Sequence, residues 1–252
     1  MRVVRPAHQI REACHLAAPG RSTQSLTHED RIVTNPMSDA EDSKTPPAAR
    51  LYAPPQFIAD NPLPIIGAYP FATLVSPGLH ATMTPICWEH PDQTNTLIGH
   101  FSRLNPHAQA ISDGQDVLAM FNGPHAYVSP RWYVDRPTVP TWNYVTTHVR
   151  GTIEPLDDEA STLQILAKTA TICEAAAERP WTMEQAPVGR VEFLLPMVRA
   201  FRIHVERIEG VSKLSQAHSP ADRVRIIDGL RAEDIQRDIA AFIADLPDAI
   251  HP

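Results

Sequence analysis

Apolar positions change their period several times along the chain. Between residues 56 and 69, Phe57, Ile58, Leu63, Ile65 and Ile66 recur around Asp60, which predicts a short helix ended by Pro70. Segments 72–76, 79–86, 96–101, 117–121 and 125–129 are rich in β-branched and aromatic residues and bounded by Pro, Gly, Asn or Asp, so each predicts a strand. A longer strand is expected over 142–153, where Tyr144, Thr146, His148 and Arg150 alternate with Val145, Thr147, Val149 and Gly151. Strands that succeed one another without helices indicate an antiparallel barrel or sandwich. Helical spacing follows in Ala160, Leu163, Leu166, Ala167, Ala170 and Cys173, capped by Asp157 or Asp158 and ended by Pro180. Strand alternation returns over 199–208. Ser219, Pro220 and Asp222 then start a helix through Val224, Ile227 and Leu230, and Ile235, Ile239, Phe242 and Leu246 carry an amphipathic pattern to Pro247. A β-rich body precedes a helical tail, and no repeat is detectable.

Composition narrows this picture. With 25 prolines and 10 glycines in 252 residues, long helical architectures are excluded, and 43% hydrophobic residues require a folded core. No window approaches the run of about 18 apolar residues that a membrane span needs. A net charge of -7 argues against a surface built broadly for nucleic-acid phosphates. Cys14, Cys87 and Cys173 are far apart and without C-x-x-C spacing, which reads as reduced thiols in a cytoplasmic protein. Residues 1–36 carry Arg2, Arg5, Arg11, Arg21 and Arg31 without a secretory apolar run, and the second methionine, Met37, precedes a polar acidic stretch. Residues 1–50 are therefore expected to form a disordered extension, with an upstream start before Met37 as one explanation, and residues 51–252 the folded domain.

Fingerprints of hydrolases, P-loop NTPases, Rossmann enzymes and zincins are missing. Polar side chains concentrate instead in four segments: Gly99-His100-Phe101-Ser102-Arg103-Leu104-Asn105-Pro106, then Gly123 through Tyr133, then Pro140-Thr141-Trp142-Asn143-Tyr144, and Lys213-Leu214-Ser215-Gln216. Tyr127, Trp132, Tyr133, Trp142 and Tyr144 lie among amide, hydroxyl and guanidinium groups, an arrangement that suits a flat cofactor and equally suits a barrel core or a subunit interface. His100 has the chemistry of a cofactor hydrogen-bond donor or a metal ligand, and also of a structural strand histidine. Arg103 and Lys213 are candidates for a phosphate or carboxylate, because no glycine-rich loop offers backbone amides for that task.

At these segments the chain resembles the PaiB family of FMN-binding negative transcriptional regulators, which have a flavin split-barrel fold. Tyr127-Val128-Ser129-Pro130 with Trp132-Tyr133, followed by Pro140-Thr141-Trp142-Asn143-Tyr144 and His148, carries the resemblance, together with Leu51-Tyr52-Ala53-Pro54, Arg207-Ile208-Glu209-Gly210 and residues 213–216. It implies a mainly β, α+β fold: a six-stranded antiparallel split barrel with flanking and C-terminal helices, homodimeric, with FMN or another small ligand at the subunit interface. By position, the resemblance implies a site formed by His100, Arg103, Asn105, Tyr127, Ser129, Trp132, Tyr133, Trp142, Asn143, Lys213, Ser215 and Gln216. The chain departs from the family at Met83, where a His is usual, and at Ala217-His218, where Asn-Arg is usual. Similarity to piperazate synthases implies an alternative, a heme-dependent enzyme with His100 as axial ligand, and a flavin oxidoreductase is a further one. Arg223, Arg225 and Arg231 alternate with Asp222, Asp228, Glu233 and Asp234, which gives little support to direct DNA binding and leaves regulation through a ligand or partner open.

Overall fold

A computed structural model describes residues 50–134, 139–233 and 237–246. Apart from Arg50, the extension expected over residues 1–50 lies outside them, as does Ile235. The β-rich body is a closed antiparallel barrel of β1 (Phe71–Ser76), β2 (His80–His90), β3 (Gln93–Ser102), β4 (Gln115–Val128), β5 (Thr141–Leu156) and β6 (Val198–Lys213), ordered β1-β2-β3-β6-β5-β4. The six-stranded mainly β architecture expected from the sequence is the one that forms. Closure leaves no strand edge open to pairing with other chains.

Alternation along each strand fills the barrel. Leu74, Ile86, Leu97, Phe121, Val149, Phe201 and Ile203 are fully buried in one core. Helix α1 (Leu63–Ala68) adds Ile65 and Ile66 to it, while α5 (Pro220–Ala232) and α6 (Arg237–Ala244) contribute Ile226, Leu230, Ile239 and Ile243. A second, smaller cluster lies on the outer wall, where Ile165 of α3 (Glu159–Glu174) covers Cys87, Ile98, Leu156 and Ala200. Asp158 starts α3 by accepting the Ser161 amide at 2.7 Å, and Ser219 starts α5 by accepting that of Asp222 at 3.1 Å.

The two strands expected over 117–121 and 125–129 are one strand, β4, whose pairing with β5 shifts between Asn122 and His125. Gly123-Pro124 sits at that irregularity. Proline has no amide to donate to the ladder, so the break in composition marks a bulge rather than a strand end. Two short helices had no clear apolar period in the sequence: α2 (Pro106–Ala110) and α4 (Arg190–Leu194). Among the described residues, no helix is long and apolar enough to cross a membrane.

Candidate functional site

A pocket of about 230 Å³ opens at the rim of the barrel, where β5 begins and β6 ends. Thr141 and Asn143 come from β5, and Lys213, Ser215 and His218 come from the end of β6 and the loop leading to α5. That loop is turned back on the barrel by Ser215, a non-glycine residue at φ 66°. Such a backbone costs about 1 kcal/mol or more and persists where surrounding contacts hold it. Here they do: Asn143 Nδ2 donates to Ser215 Oγ at 2.9 Å, and the Ser215 hydroxyl lies 3.2 Å from Asn143 Oδ1. The Gln216 side chain clamps the same turn, accepting the Leu214 amide at 2.8 Å and donating to the Ser212 carbonyl.

Two features leave the pocket chemically open. Lys213 Nζ donates to Thr141 Oγ1 at 2.6 Å and stands 5.8 Å from the centre of the Phe57 ring, and among the described residues no carboxylate pairs with it. Tyr133 is 6% exposed, and its hydroxyl has no hydrogen-bond partner among the described residues. A buried unpaired hydroxyl costs about 1–3 kcal/mol. The Tyr133 ring stacks on His218, with centroids 4.4 Å apart and planes 8° apart. Burial holds the Tyr133 phenol above its usual range, with smaller contributions from Asp222 and Tyr127, and burial holds His218 below its usual range against the opposing pull of Asp222.

The remaining residues named from the sequence fall into three other places. Ser129 and Trp132 are outside the pocket lining: Ser129 Oγ accepts Arg131 Nε at 2.9 Å, and the Trp132 indole packs against Gly229 of α5, where a Cβ would come within 2.3 Å of the ring. Tyr127 and Trp142 are cross-strand partners and form an edge-to-face pair at 6.1 Å. They are 44% and 53% exposed and stand on the opposite side of the β4–β5 ribbon from the fully buried Asn143. His100, Arg103 and Asn105 lie at the other end of β6, since β3 pairs with its first residues from Val198 to His204 and His100 stands opposite Ala200. Arg103 is engaged by Asp157 and the Val198 carbonyl, each at 3.2 Å. Asn105 caps α2 through the His107 amide at 2.9 Å and donates to Thr82 at 3.0 Å. The His100 carbonyl accepts from Thr84 Oγ1, and its Nδ1 is enclosed without a partner among the described residues. Met83, where the family usually has His, is 60% exposed on β2.

Phe57, Thr141 and His218 line the pocket and were not singled out for it by sequence. Thr141 and His218 lie beside motif residues, so proximity alone could have flagged them. Phe57 carried no such clue. It arrives because the segment after it pairs with the end of β6, through the Ile58–Val211 bridge and the Ala59 amide donating to Gly210 at 3.0 Å.

A family model with the description "Putative FMN-binding domain" matches residues 51–207. The chain belongs to this FMN-binding family. The matched span carries the barrel up to Arg207, and Lys213, Ser215 and His218 follow it. Among similar proteins is the Bacillus subtilis "Protease synthase and sporulation protein PAI 2", 34% identical over 61% of this chain and 73% of that one. A protein of Aspergillus fumigatus is 30% identical over 69% of this chain and 84% of its own length. Among solved structures, the flavocytochrome Anf3 of Azotobacter vinelandii aligns at a TM-score of 0.45 and 16% identity over 59% of this chain and 64% of that chain, so the chain spans less than two thirds of it.

Proposed function

We propose that this protein is a PaiB-type regulator that binds FMN at the barrel-rim pocket. The observation that carries the reading is Lys213, an ammonium with no carboxylate partner among the described residues, in one pocket with the ring of Tyr133. A phosphate needs a cation and hydrogen-bond donors, and the Lys213 ammonium is both. At about 230 Å³ the pocket is smaller than the ~300–1,000 Å³ that encloses a drug-sized ligand, so it takes one end of the cofactor, the phosphate-bearing one. Bound flavin would supply reversible electron transfer, and the protein would supply position and charge.

The regulatory part of the reading is supported by likeness to the Bacillus subtilis relative, whose name ties it to protease synthesis and sporulation. Regulation through the ligand is favoured over a DNA-reading helix. Arg223 of α5 is buried, and Arg225 is held by Asp222 at 2.8 Å, so neither is offered to a phosphate backbone. A homodimer is part of the same proposal: the exposed Phe71, Met83, Tyr127 and Trp142 on the barrel surface give a second copy apolar area to cover. Free Cys87 and Cys173 suit the reducing cytoplasm.

The test is flavin titration followed by fluorescence quenching, with FMN and riboflavin compared. Wild-type protein should bind FMN, and Lys213→Met should weaken it by about 10- to 100-fold, the worth of a charged hydrogen bond. Riboflavin, which lacks the phosphate, should change by less than about threefold in that variant. Wild-type protein that leaves FMN fluorescence unaltered would sink the reading.

A further inference from the structure

His218 shares the pocket with Lys213, and no hydrogen bond or ion pair engages its ring among the described residues beyond the stack on Tyr133. The stack fixes the plane of the imidazole, so its nitrogens cannot swing away to another partner without losing that contact. Its loop is held at both ends. Upstream, the His218 amide donates to the Ser215 carbonyl at 3.0 Å, and downstream Ser219 caps α5. The imidazole is thus a rigid second nitrogen base in the same pocket as the Lys213 side chain.

From this geometry we infer that His218 is the second cation of the anion subsite, and that proton uptake by His218 accompanies binding of a doubly charged tetrahedral anion such as the phosphate end of a nucleotide cofactor. The inference rests on the ligand-binding pocket proposed above and adds its regulation by pH. Burial disfavours a proton on His218 while the pocket lacks an anion, and the Lys213 ammonium of β6 lines the same space. Asp222 of α5 favours the proton, but its Oδ1 already receives the Val134 amide and Arg225, each at 2.8 Å. Tyr133 stays neutral, Thr141 and Asn143 of β5 carry no charge, and Phe57 presents a ring. Arg131 and Glu233, further out, neutralise each other at 2.9 Å. The free pocket therefore keeps His218 neutral, and an incoming dianion reverses the balance by adding negative charge beside a partly desolvated imidazole. One proton taken up on binding makes affinity rise with falling pH, by at most a factor of ten per pH unit.

Sulfate is the probe, because it keeps both charges from pH 5 to 8, whereas a phosphate ester titrates in that range. The imidazole proton signals of the full-length protein are followed by NMR through pH titrations with and without sulfate, in buffer free of phosphate, and the His218 signal is assigned by its loss in His218→Gln. Sulfate should raise the His218 pKa by about one unit, and sulfate affinity should rise about fivefold from pH 8 to pH 6. In His218→Gln the affinity should be flat over that range, and in Lys213→Met it should be lower throughout with the pH slope retained. A His218 pKa that ignores sulfate, or the same slope in wild type and His218→Gln, overturns the inference. The first measurement uses wild-type protein, so a poorly folded variant does not remove the test. Failure of the underlying reading looks different: sulfate would still shift His218 while FMN failed to bind at any pH. FMN binding with a pH-blind His218 would leave the cofactor reading standing and remove this one.

Discussion

Gly151→Ala should destabilise the barrel by at least about 3 kcal/mol, a fall in melting temperature of about 10 °C for a domain of this size. Gly151 lies on β5 beside the irregularity in its pairing with β6, where the register jumps from Arg150–Arg207 to Gly151–Val205. A Cβ there would sit 2.0 Å from the His204 carbonyl oxygen and 2.9 Å from its carbonyl carbon. Both atoms are backbone, held in the β5–β6 ladder, so no side chain can rotate to make room. The strands must part at the longest seam of the barrel, which also positions Asn143 and Lys213 at its far end. Gly67→Ala is the control. Gly67 is in α1 with nothing within 4 Å of its Cβ position, and alanine there should be neutral or stabilising by up to about 1 kcal/mol. Thermal unfolding of the two variants checks the contrast, and a Gly151→Ala protein that melts with the wild type would show that β5 and β6 yield at the bulge.

That seam also shows how much was legible in the residues alone. β5 was readable because its polar and apolar positions alternate over a long run, and its inner members Val145, Thr147, Val149 and Gly151 are all buried. α3 was readable in its extent and its Asp158 cap, but the face expected to be buried is not the one that packs: Thr162, Ile165 and Thr169 face the barrel, whereas Leu163 and Cys173 are exposed. The split expected within β4 followed from treating Gly123-Pro124 as a terminator, although a closed barrel tolerates a bulge there because pairing resumes at His125. α2 escaped notice because its five residues are too few to show a period, and its start depends on the Asn105 cap more than on apolar spacing.

The site was partly legible. Motif segments pointed to Tyr133, Asn143, Lys213 and Ser215, which the fold brings to one pocket. Adjacent motif residues diverge for geometric reasons. Successive side chains of a strand face opposite ways, so Trp142 and Asn143 cannot serve the same pocket from one sheet face. His100 is assigned by register to the other end of β6, and register is a long-range property that no local pattern displays. Phe57 shows the same limit, since it joins the pocket through pairing across more than half the chain.

Acid should destabilise this protein well before its carboxylates titrate. Burial lowers the pKa of His100, His107, His148 and His218, so each imidazole binds its proton less readily in the folded chain than in the unfolded one. The sign follows directly. Above about pH 6.5, the unfolded-state value, neither state is protonated and the shifts cost nothing. Below it the unfolded chain takes up protons that the folded chain refuses, and stability falls as pH falls, by up to about 1.4 kcal/mol per pH unit for each histidine kept neutral. His107 should contribute most. It is 2% exposed, has Nε2 enclosed without a partner among the described residues, and stacks at 5.5 Å on His80, whose charge would oppose its own. Its Nδ1 is already committed to Thr82 Oγ1 at 3.0 Å. His148 and His218 retain some contact with solvent and contribute less, so the combined loss from pH 7 to pH 5 is expected at about 2–4 kcal/mol. Urea unfolding midpoints at pH 7, 6 and 5 measure it, and a midpoint that stays constant across that range would contradict the burial argument. Sulfate separates the pocket from the core. It should recover the small share that belongs to His218, because the bound anion lets that imidazole accept its proton in the folded state, and it should leave the larger share of His107 untouched, since that side chain is enclosed at the opposite end of the barrel.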